Sequence, residues 1–254
     1  MGAHAEFLRV SLNDDSLARA VIADPRALAD RAADPVHRAI VRLVARVTEM
    51  PWALSRRDHT LANEAGLDDA SILHVVLLSA YFGHLNRVAD AVGIELDYNV
   101  AIAPVHAEPA TPPYLAPQPG LWPDPNAPRT IDLVLRPGAS QALAAWRAHA
   151  LEREAPLSIH QRAVIARAVA ERLGDAAGVK RFEAATPNGP LEQALVILAN
   201  EVTLAPWALG STTIANLRRV GLVDDRAIFD AISVATSSTT FSRIEVALSA
   251  LARD

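Results

Sequence analysis

Residues 51–67 read PWALSRRDHTLANEAGL, and residues 206–222 read PWALGSTTIANLRRVGL. The two stretches lie 155 positions apart, and the likeness extends past their ends. Over 47–69, nine of 23 positions are identical at that offset: Val47, Thr48, Pro51, Trp52, Ala53, Leu54, Gly66, Leu67 and Asp69. Leu43 falls on Leu198 ahead of this window, and Arg87 falls on Arg243 after a one-residue slip. A shared PWAL turn and a shared Gly-Leu helix stop predict a duplicated helix–turn–helix–helix unit.

The flanking residues predict helices throughout. Asp34-Pro35 offers an N-cap and a proline at the first helical position. Ile40, Leu43, Val44 and Val47 then follow at the spacing of a buried helical stripe. Ser55 with Asp58, and Ser158 with Gln161, read as capping boxes, while Gly66, Gly93 and Gly174 read as helix stops. Asp68 and Asp69 open a long apolar helix through Val92, and Pro190 opens another to about Leu204. The only strand-like run is TIDLVL at 130–135. The fold class expected is therefore all-α, an internally duplicated helical bundle.

Ten of the 17 prolines fall between Pro104 and Pro137. Proline lacks an N–H and disfavours helix in the residue before it, so this stretch reads as an extended connector. Tyr114, Leu115, Leu121 and Trp122 within it suggest packing on a surface. The expected organisation is a helical module at 1–100, a connector at 101–137 and a second module at 138–254.

The 254 residues carry a net charge of −5 and no cysteine. The acidic balance argues against a binder of phosphate backbones. The absence of cysteine excludes disulfides, thiolate metal sites and a cysteine nucleophile. The first residues, MGAHAEFLRVSLNDD, lack a basic stretch followed by an apolar one, and no uninterrupted apolar run approaches about 20 residues. These features predict a cytoplasmic protein without membrane partners.

Candidate chemistry centres on Tyr81, His84 and Arg87, three residues apart on one helix face. Such a row suits a general base beside a cation that holds an anionic substrate. The competing expectation is an Arg87–Asp90 ion pair and a packed Tyr81. Asp58 and His59 are adjacent and so face apart on a helix. No His-x-x-x-His or Glu-x-x-His pair occurs, so no metal site is expected, and no glycine-rich phosphate loop is present. Trp52 and Trp207 hold equivalent places in the two copies and are expected to wedge the turns. A DNA-reading helix–turn–helix at 56–82 is excluded by its apolar second helix.

AGLDDASILHVVLLSAYFGHLNRVADAVG, residues 65–93, resembles the C-terminal helical module of the carboxymuconolactone decarboxylase/alkylhydroperoxidase D-like superfamily, peroxidase-related branch. Ala80-Tyr81-Phe82, Asn86-Arg87, Ala89-Asp90 and Gly93 carry the likeness, with the PWAL lead-in. It covers 36–98 well and 190–250 more weakly. The segment LSIHQRAVIARAVAERLGD resembles the helix leading into that family's Glu…Cys-x-x-Cys-x-x-x-His motif. In that register Gln161 stands for the glutamate, Asp175 and Gly178 for the cysteines, and Phe182 for the histidine. Trp52, Ser55 and His59 mimic the same spacing, but their surroundings match the C-terminal module better.

The dithiol cycle needs a thiolate and a resolving thiol, so the resemblance implies a thiol-free homologue without that peroxidase activity. It implies a small-molecule or partner-binding role, with Tyr81, Asn86, Trp52 and Trp207 lining a pocket. The alternative is a cysteine-independent enzyme, peroxidase-related or a lyase, using His84, Arg87 and His59 on an anionic or oxidised small molecule. No cofactor is expected. Family modules associate, so a homo-oligomer, most simply a dimer, is also implied.

Overall fold

The computed structural model describes residues 34–94 and 128–253, with Ser16, Pro117, residues 122–124 and Asn126. The N-terminal segment, Tyr114, Leu115 and Leu121 lie outside the described residues. Among those described there are nine α-helices and no strand.

The first three helices are α1 (Pro35–Glu49), α2 (Arg56–Glu64) and α3 (Asp69–Val92), with a 3-10 turn at Pro51–Ala53 between α1 and α2. After a second 3-10 turn at Leu133–Leu135 come α4 (Pro137–Leu151), α5 (Ile159–Leu173) and α6 (Ala176–Arg181). The chain then forms α7 (Pro190–Leu204), a 3-10 turn at Pro206–Ala208, α8 (Ser211–Arg219) and α9 (Asp225–Ala250). The run TIDLVL is thus a 3-10 turn and not a strand. Asp132 caps it through the Val134 N–H, and Ile131 is fully buried. With no neighbouring strand to pair with, its backbone takes the local hydrogen bonds instead.

Local capping chemistry sets most helix ends. Asp34 accepts from the Val36 N–H and Asp68 from the Ser71 N–H. Asp58 accepts from both the N–H and the hydroxyl of Ser55, at 2.9 and 3.0 Å. Ser158 and Gln161 exchange reciprocal bonds. Gly174 ends α5 at φ 71°, and a Cβ there would meet Pro117 at 3.0 Å and Trp122 at 3.1 Å. Glycine is required on both counts.

The long helices α3 and α9 pack against each other at the centre. The turn 51–53 lies on α9 and the turn 206–208 lies on α3. Two apolar cores result, and each takes residues from both parts of the chain. One joins Trp52 to Leu157, Ile165, Leu195, Leu217 and Phe241. The other joins Leu43, Leu54, Ile72 and Val76 to Ile244, Leu248 and Leu251. Arg243, 3% exposed, reaches across from α9 to the Val47 and Thr48 carbonyls at the end of α1.

Helices α1 and α7 begin and end 155 positions apart, as do α2 and α8, and α9 starts 156 after α3. Their surroundings differ. Helix α9 is rich in Ala, Ser and Thr, which lets α3, α4, α5 and α7 all approach it. Helix α3 is buried only along Ile72, Leu73, Val76 and Ala80. It is the one helix among the described residues long and apolar enough to cross a membrane by length and composition. Its packing on α1 and α9 is that of a bundle helix.

Candidate functional site

Arg162 anchors the second half. Its side chain is fully buried and donates to the carbonyls of Ala150 (3.0 Å), Arg153 (2.7 Å), Ala155 and Leu157 (both 3.2 Å). It also pairs with the Asp230 carboxylate, which takes a second bond from Arg153. This network fastens the α4–α5 loop to α9 and fixes the cavity formed by α4, α5, α6 and α9.

That cavity is lined by Arg147, Leu151, Ala166, Asp175, Gly178, Arg181, Phe182, Ser238, Phe241 and Ser242, and holds about 20 Å³. A space of that size admits one water-sized group. Asp175 caps α6 by accepting from the Gly178 N–H at 2.8 Å, and its other oxygen accepts from the Ser242 hydroxyl at 2.8 Å. Burial drives the Asp175 carboxyl above the usual carboxylate range, against the pull of these two donors. The Glu245 charge adds to the rise and Arg181 opposes it.

The hydroxyls of α9 explain what is unusual here. Thr236, Thr239 and Thr240 donate back to carbonyls in the preceding turn. Ser237 accepts from the Trp146 indole at 3.2 Å. Ser238, 3% exposed, lines the cavity, yet its Oγ has no partner among the described residues. A buried hydroxyl left without a partner costs roughly 1–3 kcal/mol, so a guest able to bond it would be favoured there.

At the cavity's edge the Arg147 guanidinium lies 5.1 Å from the Phe241 ring centre and 3.4 Å from Glu245. Arg129 approaches the same carboxylate at 2.5 Å. Burial pushes Glu245 up, but the two arginines outweigh it and hold the group below its ordinary value.

The residues singled out from the sequence separate into three places. Asp175, Gly178 and Phe182 line this cavity, whereas Gln161 spends its side chain on the Ser158 capping box. His84 packs edge-on against Trp146 at 4.8 Å, and Trp146 packs on Phe241 at 5.1 Å. Burial lowers the His84 pKa, so the ring is neutral near pH 7, and its Nδ1 is buried without a partner. Arg87 donates to the Gly83 carbonyl at 3.0 Å, while Tyr81 and Asn86 are exposed. Burial raises Asp90 despite the Arg87 charge nearby.

His59 stands elsewhere, bound to Asp69 at 2.7 Å and to Asn63 at 2.9 Å. It joins the start of α3 to α2, and no contact links it to His84. Trp52 is 7% exposed and Trp207 is 48% exposed, so the wedging role expected of both is filled by Trp52. No group of three His, Cys, Asp or Glu side chains that could hold a metal occurs among the described residues.

Ser238, Ser242 and Arg147 were not singled out from the sequence. The signal available was the run SSTT at 237–240 inside a long apolar helix, since buried hydroxyls need partners.

No family model, curated protein or solved structure matches the chain. Its chemistry rests on its own residues.

Asp175 makes a pH prediction. A carboxyl raised in the folded state binds its proton more tightly there than in the unfolded chain. Its contribution is full below the unfolded value of about 3.9 and is lost as pH rises through the folded value. Wild type should therefore lose stability relative to Asp175→Asn as pH rises from 4 toward 8. Parallel urea titrations would measure this. A gap constant with pH would show that Asp175 is not raised.

Proposed function

We propose that the protein is a thiol-free homologue of alkylhydroperoxidase D-like proteins that binds a small molecule in the Asp175–Ser238–Ser242 cavity. One observation carries this reading. The positions the resemblance assigns to both cysteines and the histidine, Asp175, Gly178 and Phe182, line a single cavity whose Ser238 hydroxyl is unpartnered. The matched helix bounds at offset 155 support descent of both halves from one duplicated unit. A cytoplasmic homo-oligomer is part of the same proposal.

The cavity seats only a water-sized polar group of a ligand, beside Ser238, Asp175 and Ser242. Leu151, Ala166, Phe182 and Phe241 supply apolar walls, with guanidinium groups from Arg147 and Arg181 beside them. A carboxyl replaces the thiol, so the site can exchange a proton but holds no group able to reduce a peroxide bond.

A second reading is a cysteine-independent enzyme acting through His84. The observation in its favour is a neutral imidazole with a buried, unpartnered Nδ1. Of the side chains proposed to act with it, Arg87 is near enough for its charge to lower the His84 pKa further, but His59 is held by Asp69 and Asn63, so the cavity reading is preferred.

The test is hydroperoxide consumption by purified protein, with thiol and flavin donors supplied in turn. The expected result is no turnover above buffer for wild type, Asp175→Asn or His84→Ala. Turnover lost only with His84→Ala would establish the second reading. Turnover lost with Asp175→Asn would make the cavity catalytic.

A further inference from the structure

A space of about 20 Å³ holds a single water-sized group, so the size of the Asp175 cavity already narrows its guest. A carboxylate, an amide or a phosphate carries two or more polar atoms on one centre and cannot enter whole. Of the lining residues only Arg181 is exposed, Arg147 and Phe182 are half-buried, and the rest are buried. The entrance therefore lies on the side of Arg147, Arg181 and Phe182, and the floor is the α9 surface at Ser238 and Ser242.

The hydrogen-bonding capacity around that floor is uneven. The Ser242 hydroxyl spends its proton on Asp175 Oδ2 at 2.8 Å, so only its lone pairs remain. Asp175 Oδ1 takes the Gly178 N–H at 2.8 Å, and each carboxylate oxygen keeps a lone pair. The Ser238 hydroxyl, 3% exposed, makes no bond among the described residues, so its proton is unspent. A guest beside these groups meets one donor and a surplus of acceptors. A carbonyl oxygen answers the donor alone, whereas a hydroxyl answers both. When Asp175 takes up a proton the surplus shrinks, and a hydroxyl, which can turn, still fits.

Charge selects in the same direction. Arg147 and Arg181 stand at the entrance, Asp175 lies inside, and the Glu245 charge acts on Asp175 from beside it. A carboxylate would be drawn by the arginines and opposed by the acids, and an ammonium would meet the reverse. A neutral group avoids both the repulsion and the cost of burying an ion. Leu151, Ala166 and Phe241, each at most 9% exposed, form an apolar wall beside the polar floor.

We infer that the group seated in the cavity is the hydroxyl of a neutral alcohol, accepting from Ser238 and donating to Ser242 or Asp175. This rests on the cavity reading and names its ligand class. The hydroxyl repeats the bonds of the water it displaces, while its carbon covers apolar wall that water leaves bare, and this gives an alcohol its advantage. The rest of the ligand leaves past Phe182, between the two arginines.

The test follows the backbone amide shifts of Gly178 and Ser242 in the full chain at pH 8. Four probes of one chain length are titrated separately: 1-propanol, propionamide, propionate and propylammonium. Saturating shifts are expected with 1-propanol, and the other three should bind about tenfold more weakly, the worth of a hydrogen bond or two. Ser238→Ala should weaken 1-propanol by roughly five- to tenfold with unchanged circular dichroism. Propionamide, propionate or propylammonium binding as tightly as 1-propanol would overturn the alcohol class and leave the cavity reading standing. No shift at Gly178 or Ser242 with any of the four would overturn both, the space then holding water alone. Ser238→Ala binding 1-propanol as tightly as wild type would overturn the pairing with Ser238. The wild-type ranking of the four probes decides the class even if Ser238→Ala failed to fold.

Discussion

Arg162→Leu is expected to destabilise the protein by about 3–5 kcal/mol, the cost of leaving one half of a buried ion pair without the other. For a chain of this size that is a fall in Tm of roughly 6–20 °C. The guanidinium is fully buried and serves four carbonyls besides Asp230, so its removal takes a donor from all four and leaves Asp230 paired with Arg153 alone. Arg162→Lys should recover little, because an ammonium on a flexible stem cannot reach acceptors arranged around a planar fork. Arg162→Leu with Asp230→Leu should cost less than the sum of the single changes, since the second removes a carboxylate left with only Arg153. Urea unfolding of the four proteins measures this, and additive losses would show that the pair is not coupled.

Gly178→Ala should act on both stability and the cavity. A Cβ at 178 would stand 2.5 Å from an Asp175 oxygen and 2.9 Å from the Ala170 Cβ. Both separations are too short for a real Cβ, so both neighbours must give, and the carboxylate is the one that caps α6 and bonds Ser242. Overpacking of this kind costs about 1–3 kcal/mol. The same geometry explains why a side chain, cysteine included, does not fit at 178 beside this aspartate. Thermal unfolding of Gly178→Ala and of the double change with Asp175→Ala separates the causes. The added cost of Gly178→Ala should be smaller in the Asp175→Ala background, where only the Ala170 contact remains, and an equal cost in both backgrounds would contradict the carboxylate clash.

The parts of the fold legible in the sequence were those written in neighbouring residues. The Ser55–Asp58 and Ser158–Gln161 boxes, the Asp68 cap and the Gly93 and Gly174 stops each act across four residues or fewer, so spacing alone reveals them. The all-helical class followed from these and from the apolar period. TIDLVL was misleading because its alternation is local, while its conformation is decided by the burial of Ile131 among residues from both ends of the chain.

The candidate site was legible only in outline. Asp175, Gly178 and Phe182 could be set in register from the resemblance, but Ser242 meets Asp175 across 67 positions and Ser238 carries no local signature. Adjacency set His59 facing away from Asp58, but its actual partner, Asp69, lies ten residues on and is reached because the turn after α2 folds α3 back beside it. Trp52 and Trp207 looked alike, and only the presence of α4 and α5 over one half distinguishes them.

The central claim is that the Asp175 cavity holds a ligand's polar head through Ser238. Saturation-transfer NMR with acetate, acetamide and ethanol as separate probes tests it, comparing wild type with Ser238→Val, which removes the hydroxyl and fills the space. The account predicts transfer to at least one probe in wild type and its loss in the variant, with the variant still folded by circular dichroism. No transfer to any probe, or equal transfer in both proteins, would contradict it.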